Sequence, residues 1–322
     1  MRKVAVGVDI GGTNTVYGLV DRDGNIIGEG AFPTRNYPDF DQYIEELYIG
    51  IQDLIKRSGD DVEVIGVGIG APNGNYYTGT IEFAPNLVWK GVLQIVEKMK
   101  RYFPTIPVII TNDANAAAVG EMVYGGARGM QNFVVVTLGT GLGSGFVVNG
   151  KLVYGHDGFA GELGHVIVHK TGRVCGCGRK GCLETYVSAT GIKRTVFKLL
   201  ADHTEESEFR KIPYDELTAE MITKATLNGD PIAIAAYEYT GKMLGEALAD
   251  VVAITSPEAI FLFGGLAKAG KYIFEPTKRY MEANLLAIFR NKVKLLPSGI
   301  DGKNAAVMGA SALVWQELGE ME

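Results

Sequence analysis

All three cysteines of this chain fall in one short stretch, Cys175-Gly-Cys177-Gly-Arg-Lys-Gly-Cys182, with Glu162-Leu-Gly-His165 just ahead of it. Three thiols and one imidazole at this spacing supply the four ligands of a closed tetrahedral zinc site. Gly176, Gly178 and Gly181 free the loop to fold back so that every sulfur reaches one ion. His169 is the competing imidazole, because in a strand it would share the face of His165. Glu162 and Glu184 are interleaved with these ligands, and zinc does not need them. Two spare carboxylates on a metal loop suggest a clamp for a molecule rich in hydroxyls. The alternative is an exposed hairpin whose cysteines cluster without purpose.

Two other segments have the make-up of phosphate-binding turns. Asp9-Ile-Gly11-Gly12-Thr13-Asn14-Thr lies between apolar runs, and its glycines let backbone amides and the Thr13 hydroxyl approach a phosphate closely. Asp9, at a strand end, is placed to hold Mg2+ through water. Gly139-Thr140-Gly141-Leu-Gly-Ser-Gly145 offers the same surface from the second half of the chain. Neither carries the Lys-Ser/Thr ending of a P-loop, and neither opens a helix as a dinucleotide fingerprint does. Each alone is equally a hairpin turn. Together they could close on a polyphosphate from both sides.

Ile110-Thr-Asn112-Asp113-Ala-Asn-Ala-Ala-Ala sets an acid where an apolar strand meets an alanine-rich helix. Asp113 is there either as the helix N-cap or as a general base at a strand's C-terminal end, where open α/β sheets bind ligands. The two roles are compatible. Phe263-Gly264-Gly265-Leu-Ala-Lys-Ala-Gly270 is a strand-to-helix turn whose bare backbone could lie flat against adenine or ribose, or simply connect the two elements. Pro85-Asn86-Leu-Val-Trp89 offers an amide and a ring, as a hydroxyl reader, a lid or ordinary loop packing.

What positions these residues is a repeat. Val4 to Ile27 reads as strand, glycine turn, strand, Asp-Gly turn, strand, and Phe133 to Val153 has the same order with Asn-Gly at the second turn. Alternating helices and strands follow each meander. The patterns predict helices over 39–57, 91–102 and 113–124, and strands over 62–69 and 106–110. In the second half they predict helices over 189–201, 215–226, 231–255, 272–289 and 304–317, with strands over 259–263 and 293–295.

Length and composition leave room for two α/β lobes. The chain has 322 residues, of which 47% are hydrophobic and 21% charged, which is enough apolar material for a sizeable core. A net charge of −6 argues against a nucleic-acid partner and does not suggest a membrane surface. The apolar run before Asp9 is too short for a signal peptide, and no stretch approaches transmembrane length. Clustered cysteines fit metal ligation in a reducing compartment, which makes a cytoplasmic protein the expectation.

Together these motifs resemble the ROK family of repressors, open reading frames and sugar kinases, within the actin/hexokinase-like ATPase superfamily. Asp-Ile-Gly-Gly-Thr, Asn-Asp before the alanine helix, Leu-Gly-Thr-Gly-Leu-Gly-Ser-Gly, Gly-Glu-Leu-Gly-His and the Cys-x-Cys-Gly-x-x-Gly-Cys-x-Glu loop all match. The resemblance implies a two-lobed actin-like (ribonuclease H-like) α/β fold, with a mixed sheet flanked by helices in each lobe. Residues 1–113 with about 304–322 would form the smaller lobe and 114–303 the larger. It also implies Asp113 as catalytic base, and Asn112, Glu162, His165 and Glu184 as sugar ligands. His165 would place one ring nitrogen on zinc and the other on a sugar hydroxyl.

The implied activity is ATP- and Mg2+-dependent phosphorylation of a hexose, with glucose at its primary hydroxyl as first choice. Related kinases for N-acetylmannosamine, fructose, mannose or allose share the sugar-holding residues, and Ala71-Pro-Asn-Gly-Asn-Tyr-Tyr replaces the family's usual proline-glycine loop. A sugar-binding sensor without turnover is the reading from another class. Asp9 follows only eight residues, so a DNA-binding helix-turn-helix ahead of it is not expected. Family habit implies a homodimer or homotetramer.

Overall fold

The computed structural model describes residues 1–59, 61–300 and 304–319. Its first meander is β1 (Arg2–Ile10), β2 (Asn14–Asp21) and β3 (Ile26–Pro33), followed by α1 (Phe40–Arg57) and β4 (Val62–Gly70). Short strands β5 (Gly74–Asn75), β6 (Thr80–Glu82) and β7 (Val92–Leu93) form a small sheet of their own before α2 (Ile95–Lys100). The first half closes with β8 (Val108–Thr111) and α3 (Asp113–Val123). The second half opens on the meander β9 (Phe133–Leu138), β10 (Leu142–Val148) and β11 (Lys151–Leu152). Helices α4 (Ala189–Asp202), α5 (Ala219–Leu227) and α6 (Pro231–Thr255) lead to β12 (Ala259–Phe263), α7 (Lys271–Asn284), β13 (Lys294–Pro297) and α8 (Ala305–Glu317).

The two large sheets are strand-for-strand copies, as the repeat implies. One runs β3-β2-β1-β4-β8 and the other β11-β10-β9-β12-β13. In each, the meander pairs antiparallel and the two added strands pair parallel. Val4 to Val8 is buried without interruption because β1 is central and covered on both faces.

Two helices fill the space between the sheets. α8 packs on β1 and β4, α3 packs on β9 and β10, and the helices pack on each other. Small residues make this possible. A Cβ on Gly7 or Gly68 would run into the backbone carbonyls of Val307 or Ala310, so α8 lies almost on the sheet. Across the helix pair, a Cβ on Gly309 would stand 2.6 Å from the Ala116 carbonyl oxygen. α8 is therefore apolar nearly all round, with buried residues from Ala305 to Trp315. The last helix thus returns to the first sheet. Residues 301–303 and 320–322 of the expected lobes lie outside the described residues.

Several boundaries differ from the sequence reading for local reasons. The helix expected over 91–102 starts only at Ile95, because Val92 and Leu93 pair with β6. The one expected from 215 begins at Ala219, where the Thr218 side chain accepts the Met221 N–H as an N-cap. That expected to 289 ends at Asn284, because Leu285 is extended. No helix among the described residues is long and apolar enough to cross a membrane.

Candidate active site

The metal loop folds as its glycines require. Gly178 and Gly181 have φ of +85° and +82°, and a Cβ on Gly181 would collide with the His169 backbone. The ligand atoms of His165, Cys175, Cys177 and Cys182 all lie within 4.8 Å of one another. Cys177 Sγ is 3.6 Å from Cys182 Sγ, and His165 Nδ1 is 3.8 Å from Cys175 Sγ. Zinc–sulfur bonds of about 2.3 Å give a tetrahedron with edges of about 3.8 Å, which those two separations match, so the donor set is compatible with zinc. Nδ1 faces the sulfurs, which leaves Nε2 for another partner. His169 is exposed beside Thr171 and does not join the cluster. Backbone and side-chain hydrogen bonds from Arg179 bring the Cys177 thiol down to about 6, whereas burial pushes Cys175 up to about 12. A divalent cation would deprotonate both.

A line of carboxylates runs from this loop across the molecule. Asp9 is pushed up to about 6, first by burial and then by the negative charge of Asp113. Asp113 is raised by burial, against backbone hydrogen bonds that include the Ala114 N–H at 2.9 Å. Asp113 is nevertheless exposed to solvent. Glu162 is raised by burial, lowered by His165, and raised again by Asp113 and Glu184. Asp9, Asp113, Glu162, His165 and Glu184 therefore form one electrostatic neighbourhood.

Asp113 is not the N-cap of α3. Asn112 is, with its Oδ1 accepting the Asn115 N–H at 2.6 Å, while Asp113 is the first helical residue. The cap occupies the oxygen of Asn112 and leaves its amide N–H groups for another partner. Asp113 is thereby freed of a structural duty.

The glycine turns are held by different neighbours. Gly12 lies against the Asn86 carbonyl and its own carbonyl accepts Arg35 Nε at 3.1 Å, while Thr13, Asn14 and Asn86 are exposed. Gly11 N–H donates to the Asn14 carbonyl at 3.0 Å. In the second turn, Gly139 has no atom within 4 Å of a notional Cβ and Thr140 is exposed, whereas Gly141 lies against the Glu184 carboxylate. Gly264, with φ of +102°, packs on the Leu138 carbonyl, and Gly265 lies beside it. Trp89 differs from expectation. It is buried against Tyr43 and Phe40 and donates Nε1–H to the Tyr37 carbonyl at 3.0 Å, so it is core and reads no hydroxyl.

One supporting contact carried no signal beyond a hydroxyl within a glycine run. The Ser144 hydroxyl donates to the Gly161 carbonyl and accepts the Leu163 N–H at 3.2 Å, which brackets Glu162.

The sequence pattern of the ROK family matches residues 5–317. A glucokinase of Halalkalibacterium halodurans is 35% identical over 324 residues, covering 98% of this chain and 96% of that protein. The crystal structure of a ROK family glucokinase from Streptomyces griseus, in complex with glucose and AMPPNP, has a TM-score of 0.81 at 30% identity and covers 97% and 99% of the two chains. A ROK family transcriptional regulator, a homologue of the E. coli MLC protein, has a TM-score of 0.89 at 25% identity, covering all of this chain and 80% of that one. Match length and shared architecture agree: the chain belongs to the ROK family.

Proposed function

We propose that this protein is a sugar kinase that transfers the γ-phosphoryl group of ATP to the primary hydroxyl of glucose. The observation that carries the reading is a solvent-exposed Asp113 at the junction of β8 and α3, with the carboxylates of Asp9 and Glu162 near enough to feel its charge. The glucokinase relatives supply the hexose. On this reading the smaller lobe is 1–113 with about 304–322, the larger is 114–303, and a cleft lies between them.

Glucose is held through its hydroxyls by Asn86, Asn112, Glu162, Glu184 and the free Nε2 of His165. Asp113 accepts the proton of the attacking hydroxyl. Burial suits it to that task, since a pKa nearer neutrality makes a carboxylate a better proton acceptor than an ordinary aspartate. The transition state of phosphoryl transfer is loose, so the protein mainly positions groups and neutralises charge. Gly11, Gly12, Thr13 and Asn14 approach the phosphates from one side and Gly139, Thr140 and Gly141 from the other, with Gly264 and Gly265 against the nucleoside. Asp9 would hold Mg2+, which would supply charge neutralisation to the phosphates. His165, Cys175, Cys177 and Cys182 would hold zinc, which would fix the loop that carries Glu162 and Glu184. Closure of the lobes excludes water and suppresses ATP hydrolysis. The enzyme is cytoplasmic and assembles as a homodimer or homotetramer, which sedimentation at micromolar concentration reads directly.

Coupled ADP release with a panel of glucose, N-acetylmannosamine, fructose, mannose and allose tests the function. Glucose is expected to be turned over fastest. A different preferred hexose replaces the substrate and keeps the chemistry. The likeness to a transcriptional regulator favours one second reading, a sensor without turnover. Sugar binding by calorimetry with no ADP release from any sugar would establish that reading instead.

A further inference from the structure

Arg173 precedes the first cysteine by two residues and belongs to no motif in the sequence, yet it is the most connected side chain of the metal loop. Its Nη1 donates to the carbonyls of Thr185 and Gly191, both at 2.9 Å, and its Nη2 donates to Thr195 Oγ1 at 3.0 Å. The guanidinium lies 4.6 Å from the centre of the Tyr186 ring, and the Arg173 backbone N–H donates to the Tyr186 hydroxyl at 3.1 Å. These partners are the residue after Glu184, the next one along, and the first turns of α4. Glu184 itself accepts the Leu142 N–H at 3.0 Å, at the end of the second glycine turn, and the Ala189 N–H donates to the Gly139 carbonyl at 2.9 Å. One guanidinium therefore joins the metal loop to the segment that carries Glu184, and that segment grips both ends of the 139–141 turn.

We propose that Arg173 is a positioning residue that locks the Glu184 segment in register with the glycine turn, so that the hydroxyl-binding and phosphate-binding groups of this half form one rigid unit. The inference rests on the kinase reading for the identity of the two ligands. The lock is made by directional bonds and does not pass through the metal ligands. A fork that reaches two carbonyls and a hydroxyl at once needs the planar geometry of arginine, which an ammonium cannot reproduce.

The test compares Arg173→Lys with wild type for zinc content, melting temperature, and the KM of glucose and of ATP. Wild-type zinc, with both KM values raised about tenfold or more, is the expected result. A lower melting temperature with both KM values within twofold of wild type would make Arg173 a structural staple only and overturn the proposal. If Arg173→Lys does not fold, Thr195→Val removes the Nη2 bond together with the hydroxyl's own bond to the Gly191 carbonyl, and Tyr186→Phe removes the bond to the Arg173 backbone N–H. Each is then expected to raise both KM values by about two- to fivefold, and no change in either variant overturns the proposal. Wild type that releases no ADP with any sugar defeats the kinase reading alone. Calorimetric affinities for glucose and ATP then read the Arg173 effect, and two unchanged affinities overturn it.

Discussion

Glu184 accepts the backbone N–H of Leu142 at 3.0 Å while its other oxygen lies 3.7 Å from Cys175 Sγ. One carboxylate thus spans the metal loop and the glycine turn 139–141. That placement separates Glu184 from Glu162, although the sequence gives both the same setting beside metal ligands.

Glu162→Gln and Glu184→Gln should therefore behave differently. Each exchanges a charge-assisted hydrogen bond for a neutral one, and hydrogen bonds to charged groups contribute about 1.5–3 kcal/mol. Glu162→Gln is expected to raise the KM of glucose by at least tenfold and leave that of ATP alone. Glu184→Gln is expected to raise both, because it also loosens Leu142. Equal effects on the sugar alone from both variants would contradict the spanning role.

Purified protein should contain about one zinc per chain. Cys177→Ser should lose most of it, and His165→Ala should too, because His169 stands apart from the sulfurs. Metal ligation contributes folding free energy on the order of 10 kcal/mol in small zinc domains. Here two large cores exist without it, so chelation should disorder the loop and raise the sugar KM before it unfolds the chain. Metal analysis settles the first point, and melting with and without chelator the second.

The glycines of the two phosphate turns are not equivalent as test sites. Gly139→Ala meets nothing within 4 Å and should leave the melting temperature unchanged while raising the KM of ATP. Gly12→Ala presses on the Asn86 carbonyl, and Gly264→Ala combines a φ of +102° with a Leu138 carbonyl oxygen 2.6 Å away. Gly264→Ala should cost about 1–3 kcal/mol of stability from strain of this kind, read as a lower urea midpoint. An ATP effect from Gly139→Ala no larger than twofold would remove this turn from the phosphate site.

Much of this was legible in the residues. The duplicated meander shows in Asp-Gly and Asn-Gly turns at matching points, because a hairpin turn demands specific chemistry from few positions. The clustering of His165 with the three cysteines shows in cysteine spacing for the same reason. Less legible was everything set by distant packing. Asn112 and Asp113 are both good caps, and only the backbone decides which one bonds the third amide. Trp89 reads as a loop aromatic until α1 supplies Tyr43 and Phe40 to bury it. The small strand at Val92–Leu93 needs β6 before it can replace a helical turn. Arg173 shows nothing in sequence because its partners are mostly backbone carbonyls, which every residue has.

The last prediction separates catalysis from binding at Asp113 and uses its raised pKa. Asp113→Asn keeps the size of the side chain and, since Asn112 is the cap, leaves the start of α3 intact. Loss of a general base costs about 10²–10⁴-fold in rate, so turnover should fall by that much while calorimetry finds glucose still bound. In wild type, kcat/KM should fall as pH drops through the raised pKa of Asp113, which puts the acid limb above the ordinary carboxylate range near ~3.9. Stability gives an independent reading. A carboxylate raised by burial binds its proton more tightly folded than unfolded, so it lowers stability as pH climbs from the unfolded value to the folded one, and the deficit persists above. Asp113→Asn removes that deficit and should melt higher than wild type at pH 8, with the two converging toward pH ~4, below the raised pKa. Turnover within a few-fold of wild type would place the base elsewhere. A variant that melts lower than wild type at pH 8 would show that Asp113 is not carrying a burial penalty.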